Sequence, residues 1–289
     1  MAIKSIFVPF FEEKSAISAF RAAVVLAQEY KAHISIIHMR NRPMPPATVY
    51  FPLGGVSHEF VSAFQEAEEK LADTLKRTFD DLCRGLKIGV VDISDHRKES
   101  GVTASWDDVE GELYTDLAGR AMSCDLAVIA TASDDTTPME QEIIESLLFK
   151  SGRPVLMCPQ SGLAGTPKKI VVAWNGRQEA ARAVSASMDL LQDAEDVSVV
   201  TVRKSKSPLV HTEEITTYLR LHNVNAVRSE IEIDDDESDN ARLDAEVLEQ
   251  KPDLLVMGAY SHSRWREAIL GGYTRHMIHE AKLPVFMMR

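Results

Sequence analysis

The sequence predicts an α/β chain made of two tandem, doubly wound parallel five-stranded sheets flanked by helices and arranged as a pseudo-twofold pair. Three observations predict it. The two halves of the 289 residues repeat the same landmarks, those landmarks are short continuous apolar runs, and helical patterns separate them. Asp125–Ser133 reads Asp-Leu-Ala-Val-Ile-Ala-Thr-Ala-Ser and answers Asp253–Ser261, Asp-Leu-Leu-Val-Met-Gly-Ala-Tyr-Ser. Arg153–Met157 answers Leu283–Met287, and Lys4–Pro9 answers Lys168–Ala173. A continuous apolar run is how a strand buried on both faces of a parallel sheet reads. Such strands alternating with helices give right-handed crossovers and a doubly wound sheet.

Taken in order, the first half places strands at Lys4–Pro9, His33–Met39, Ile88–Ser94, Asp125–Ser133 and Arg153–Met157. Its helical patterns cover Ser15–Tyr30, His58–Gly85, Val109–Met122 and Met139–Lys150. The second half places strands at Lys168–Ala173, Val197–Val202, Val227–Ile233, Leu254–Met257 and Leu283–Met287, with helices at Gln178–Leu191, Glu213–His222, Ala241–Gln250 and Tyr273–Ala281. The stretch Pro159–Pro167, rich in Gly, Pro and Ser, reads as a linker between domains 1–159 and 167–289. Asn41–Gly55 is an insertion whose prolines, Pro43, Pro45, Pro46 and Pro52, preclude a helix or central strand. It reads as a surface loop, with a lid over a ligand as the sharper alternative.

Composition excludes several classes. With 45% hydrophobic and 26% charged residues the chain is ordinary globular material, and each half is long enough to bury a core. No apolar run approaches the ~18 residues that span a bilayer, and the N-terminus does not read as a signal peptide. Cys83, Cys124 and Cys158 are scattered, without metal-ligand spacing, so a reduced cytoplasmic setting is expected. A net charge of −12 argues against nucleic acid or an acidic membrane as partner. Both halves are net acidic, which leaves room for a local basic site and not for a broad basic face.

One segment carries such a site. In an open α/β sheet, ligands bind beyond the carboxyl ends of the strands, where helix N-termini offer free N–H groups. After the strand Leu254–Met257 the chain runs Gly258-Ala-Tyr-Ser261-His262-Ser263-Arg264-Trp265-Arg266-Glu267-Ala-Ile-Leu-Gly271-Gly272-Tyr273, and then the last helix begins. Gly258 permits a tight turn, and Gly271 and Gly272 let backbone approach an anion at a helix start. His262, Arg264, Arg266 and Arg275 add positive character, opposed only by Glu267.

This segment resembles the nucleotide loop of the universal stress protein family, in which Gly, two residues, Gly, nine residues and a Gly-Ser/Thr pair wrap ATP phosphates. The terminal Leu283–Arg289 and the opening Ile170-Val-Val-Ala-Trp-Asn175-Gly176 before an Ala-rich helix are similar to that family too. The resemblance covers the whole chain as a tandem pair. It implies ATP or a related adenine nucleotide in the second half, with accompanying Mg as the only metal. Adenine would lie near Asn175 and the backbone at Val202, ribose near Met257 and Gly258, and phosphates over Ser261, His262, Ser263, Arg264, Gly271, Gly272 and Tyr273. Two positions depart from the family pattern: Ser261 replaces the middle glycine, and Gly272 replaces the final hydroxyl residue. Asn175 stands where nucleotide-binding members carry an acid that contacts the base. The first half departs further. Asp134, Asp135, Glu140 and Glu142 sit where phosphates would lie and Phe11 stands in the place of the base-contacting acid, so no nucleotide is expected there.

Other chemistry is weaker. Ser261-His262-Ser263 suggests a hydrolase, but no Gly-x-Ser-x-Gly elbow exists and adjacent residues rarely converge. His276 and His279 have a spacing that could place two metal ligands on one helix face, without a carboxylate or thiol pattern to complete a site. Asp234–Asp239 lacks the alternating ligands of a calcium loop and reads as a solvated turn. Trp174 reads as core; Trp265 could be an exposed contact, a cap on the base, or packing under the loop. The expected function is a cytoplasmic, nucleotide-responsive binding or signalling module of the stress response rather than an enzyme. A structural or protein-interaction role is the alternative, and slow ATP hydrolysis is the third class, with Glu267 the one local carboxylate. The terminal strands of the two halves are expected to pair within the chain, and a homodimer remains open.

Overall fold

The computed structural model describes residues 3–41, 58–96, 101–130, 137–204, 212–234, 238–259 and 272–289. The first half runs β1 (Ser5–Phe10), α1 (Glu13–Tyr30), β2 (His33–Asn41), α2 (His58–Leu86), β3 (Gly89–Val90), β4 (Thr103–Gly111), α3 (Leu113–Ala121), β5 (Leu126–Ala130), α4 (Pro138–Lys150) and β6 (Val155–Cys158). The second runs β7 (Lys169–Ala173), α5 (Gln178–Ala186), α6 (Met188–Asp193), β8 (Asp196–Lys204), α7 (Thr212–Leu221), β9 (Ala226–Ile233), α8 (Asp239–Gln250), β10 (Leu254–Gly258), α9 (Gly272–Glu280) and β11 (Val285–Met288).

Local chemistry sets the element ends. The Glu12 carboxylate accepts from Ser15 N at 2.8 Å and opens α1, whose Ala-rich face turns inward. Thr137 and Glu140 form a reciprocal capping box with Pro138 in the first turn of α4. Lys31 and Lys251 close α1 and α8 in the left-handed region, at φ 51° and 49°, which lets each chain turn straight into the next strand.

The strands form one sheet in the order β3-β4-β2-β1-β5-β6-β11-β10-β7-β8-β9. All described pairings are parallel except β6 with β11, where Leu156 faces Phe286 in an antiparallel register. Two doubly wound units of identical order, β4-β2-β1-β5-β6 and β11-β10-β7-β8-β9 read from opposite edges, thus meet about a local twofold at their last strands. The expected five-stranded units merge into a single sheet, and the first half adds β3 at its edge. The core is continuous across the join on both faces. Phe20, Phe79, Leu190 and Leu219 share one face with Val8, Leu156 and Phe286. Leu117, Ile144, Met277 and Ile278 share the other with Ile129, Met157 and Met287. Cys83, Cys124 and Cys158 are free and buried, and burial pushes the Cys83 and Cys158 thiols up to about 12.

Three expectations need correction. The strand expected at Ile88–Ser94 shrinks to Gly89–Val90, because Val90 and Ile93 are half-exposed and their apolar run lies on the surface. The strand that pairs with β2 is β4, whose Asp107, Asp108 and Glu110 hid it from a search for apolar runs. The helix expected at Val109–Met122 therefore begins only at Leu113. The helix expected at Gln178–Leu191 breaks at Ser187 into α5 and α6.

Candidate functional site

A doubly wound sheet opens a crevice where consecutive crossovers leave one strand in opposite directions. In the second half that point lies between β7 and β10: the chain leaves β7 toward β8 and β9, then crosses back to β10 on the other side. Trp174, Asn175 and Gly176 follow β7 at this edge, and Gly258 closes β10 beside them.

Asn175 is exposed, and its side-chain oxygen accepts from Arg177 N at 3.1 Å, folding the chain back toward the start of α5. Gly176 takes a φ of 71° inside this turn, which a side chain would resist. Gly258 answers a second steric demand. A Cβ there would stand 2.5 Å from Ala180 N and 2.7 Å from Glu179 C, so the head of α5 rests on the strand end without room for a methyl group. Met257 is buried in the core, and Val202 lies along β8 two residues past the last β7 pairing at Val200. Gly272 and Tyr273 open α9. Burial, with the nearby Asp244 carboxylate, pushes the Tyr273 hydroxyl well above the usual phenol range.

Asn175, Val202, Met257, Gly258, Gly272 and Tyr273 therefore stand at strand ends or a helix start of the second half. Ser261, His262, Ser263, Arg264 and Gly271 lie outside the described residues, as do Trp265, Arg266 and Glu267. Trp174 packs against the core as expected. His276 Nε2 stands 2.5 Å from Asp244 Oδ2 on α8.

Sequence reading missed Glu179. It is 7% exposed at the first turn of α5; Gln178 Nε2 donates to its Oε1 at 3.2 Å, and Oε2 is buried without a hydrogen-bond partner. Nothing in a single sequence separates this acid from the exposed ones around it; its backbone and Cβ pack closely against Gly258 at the end of β10.

The equivalent place in the first half is built differently. Phe11 is buried in the cluster that holds Ile37 and Met39. Of the four acids expected to repel phosphate there, Glu140 is consumed by the cap of α4, and Glu142 lies beside the Tyr114 hydroxyl. Asp134 and Asp135, and the insertion 42–55, fall outside the described residues. Among the described residues, no helix is long and apolar enough to cross a membrane.

Comparison with known proteins agrees with this geometry. Residues 166–289 match the model of the universal stress protein family. A search of curated proteins finds no match. Among solved structures, a universal stress protein from Archaeoglobus fulgidus aligns over 99% of this chain and 98% of its own, at 11% identity and a TM-score of 0.70. A putative universal stress protein from Pseudomonas aeruginosa aligns over 99% and 93% at 15% identity and 0.59. A functionally unknown protein of the same species aligns over 99% and 92% at 14% identity and 0.59. Such identities speak for fold alone. Residues 166–289 thus resemble the universal stress protein family, and the chain as a whole has the α/β fold seen in universal stress protein structures.

Proposed function

We propose that residues 166–289 form a nucleotide-responsive binding module that takes an ATP-type ligand, with its Mg, in the crevice between β7 and β10, and that the chain is not a fast enzyme. The observation that supports this reading is the position of the crevice: β10 ends at Gly258 beside the switch point of the second half, and in sequence the glycine-bracketed basic segment follows it and precedes α9 at Gly272. A base fits beside the exposed Asn175, and a helix N-terminus preceded by glycines suits phosphates. Ligand then shifts the protein only through unequal affinity for its conformations.

One observation favours the alternative of a structural or protein-interaction role: Gly258 is fully explained by the seat of α5, without any ligand. Equilibrium binding of purine nucleoside triphosphate to the wild type and to Gly271→Asp separates the two. The nucleotide reading expects binding by the wild type and its loss in the variant. Absence of binding by the wild type at millimolar ligand would leave the structural role. Steady consumption of bound ATP would overturn the assignment as a non-enzyme.

A further inference from the structure

We propose that one end of the join between the halves, where Arg153 and Arg289 meet the last turns of α3 and α4, is a docking surface for an acidic peptide segment of a partner protein. The surface stands apart from the nucleotide reading and uses none of the residues named for the crevice between β7 and β10.

The antiparallel register assembles it. Met287 pairs with Val155, and Arg289 and Arg153 each stand two residues beyond that pair in the same direction, so both arrive at one end of β6 and β11. Each guanidinium is then held from the α3 and α4 face of the sheet. Arg153 Nε donates to the Met122 carbonyl, just past α3, at 2.8 Å, and among the described residues its Nη groups stay unspent. The Arg289 guanidinium lies 4.3 Å above the ring centroid of Phe149 on α4. A guanidinium stacked on a ring keeps its N–H groups in plane and open to a carboxylate. Arg120 and Lys150 add two cations from the last turns of α3 and α4.

Charge and exposure say what fits there. Arg40, Arg84, Arg203 and Arg242 each hold an acid of this chain. Among the described residues no carboxylate pairs with Arg120, Lys150, Arg153 or Arg289, although acids outnumber bases by 44 to 32. The acids nearest in sequence are engaged: Asp116 Oδ2 accepts from Glu112 N, Asp125 Oδ2 from Lys4 N and Ser5 N, and Glu145 Oε1 from Gln141 Nε2. Two large apolar side chains lie exposed beside the four cations, Met122 at 50% and Phe149 at 38%. Arg, Met and Phe are the residue types that interface cores favour, and guanidinium forks suit carboxylates. The complement is a segment that sets Glu or Asp beside an apolar side chain. A chain of net charge −12 repels an extended polyanion, so the fit is to a short acidic segment and not to nucleic acid.

The probe is an octapeptide of alternating Glu-Glu and Leu-Phe pairs, titrated into the full chain at low ionic strength and followed by calorimetry. It should bind saturably and weaken as salt rises. Arg153→Gln combined with Arg289→Gln should weaken it about tenfold, the scale of charge-assisted hydrogen bonds lost. Lys150→Gln, which removes a side chain bonded only to Thr115 Oγ1 at 3.4 Å, should weaken it by a smaller factor in an undisturbed fold. Arg203→Gln removes an arginine already paired with Glu232 and should bind as the wild type does. Absence of saturable binding at millimolar peptide would overturn the proposal. Equal binding of the same peptide with Gln in place of Glu, or binding undiminished in the double variant, would overturn it as well.

Discussion

Asp253 and Lys169 are joined twice at the root of the second-half sheet. Asp253 Oδ2 accepts from Lys169 N at 2.9 Å, and Asp253 N donates to Lys169 O at 2.8 Å. The same carboxylate oxygen also takes Lys168 N at 2.9 Å. Asp125 repeats the arrangement with Lys4 and Ser5 at 2.8 and 3.0 Å in the first half. Each aspartate fastens the start of a central strand to its neighbour before the apolar pairing begins. Asp253→Ala should therefore cost about 1 kcal/mol, the net worth of the lost bonds to a partly hydrated carboxylate, read as a lower denaturant midpoint at constant slope.

The seat of α5 on Gly258 gives a sharper expectation. A methyl group there meets backbone atoms of Glu179 and Ala180, which can give way only by moving the helix. Gly258→Ala should destabilise the chain by about 2 kcal/mol, as overpacking does. The matching position in the first half is Ala130, fully buried and accommodated. Binding measured beside stability adds a second readout: a shifted α5 also moves Asn175, so nucleotide affinity should fall even where the variant remains folded.

These residues also show what a sequence exposes and what it hides. The Asp125 and Asp253 landmarks were legible because burial on both faces of a parallel strand forces an unbroken apolar run after each acid. β4 was not, because an outer strand needs few apolar residues: Thr103 and Ala104 are buried, while Asp107, Asp108 and Glu110 look outward and Asp108 is forked by Arg40, whose Nε donates at 2.8 Å. The site divides in the same way. Gly258 and Asn175 could be found from their places after strands, since topology alone puts strand ends at the crevice. The turn of the Asn175 amide could not, because it follows from one hydrogen bond from Arg177 N. Glu179 could not either, because helix packing rather than composition buries it.

His33 predicts the acid limb of stability. It is buried, with Nδ1 2.8 Å from Thr103 Oγ1 and Nε2 3.0 Å from Ser105 Oγ, and the His96 ring centroid stands 5.6 Å away. Burial pushes its imidazole down to about 4; His96 lowers it further, and Asp92 opposes the fall. The unfolded chain takes up this proton near pH 6.5 and the folded chain only near 4, so between those values the unfolded state binds more protons. Stability conferred by neutral His33 is complete above pH 6.5 and drains away as pH falls toward 4, by about 3 kcal/mol in all. Chemical denaturation at steps from pH 7 to 4 should show this slope in the wild type and a shallower one in His33→Gln.

Tyr30 predicts the alkaline limb and tests the join between the halves. Its hydroxyl donates at 2.8 Å to Asp193 Oδ2, tying α1 of the first half to α6 of the second beyond the β6–β11 pairing. Burial first, then the bond to Asp193 and the charges of Asp193, Asp189 and Glu29, push the phenol far above its ordinary value. A raised phenol contributes stability in full below the unfolded value near 10, and loses it as pH climbs beyond that, because only the unfolded chain then ionises. Tyr30→Phe should cost about 1 kcal/mol at neutral pH, since Asp193 is exposed and water replaces the lost donor. It should also flatten the fall in stability between pH 9.5 and 11. If the two halves melt together in the wild type and the variant melts in two steps, the Tyr30–Asp193 bond also couples them. A single transition lowered by the same amount would assign cooperativity to the shared sheet alone.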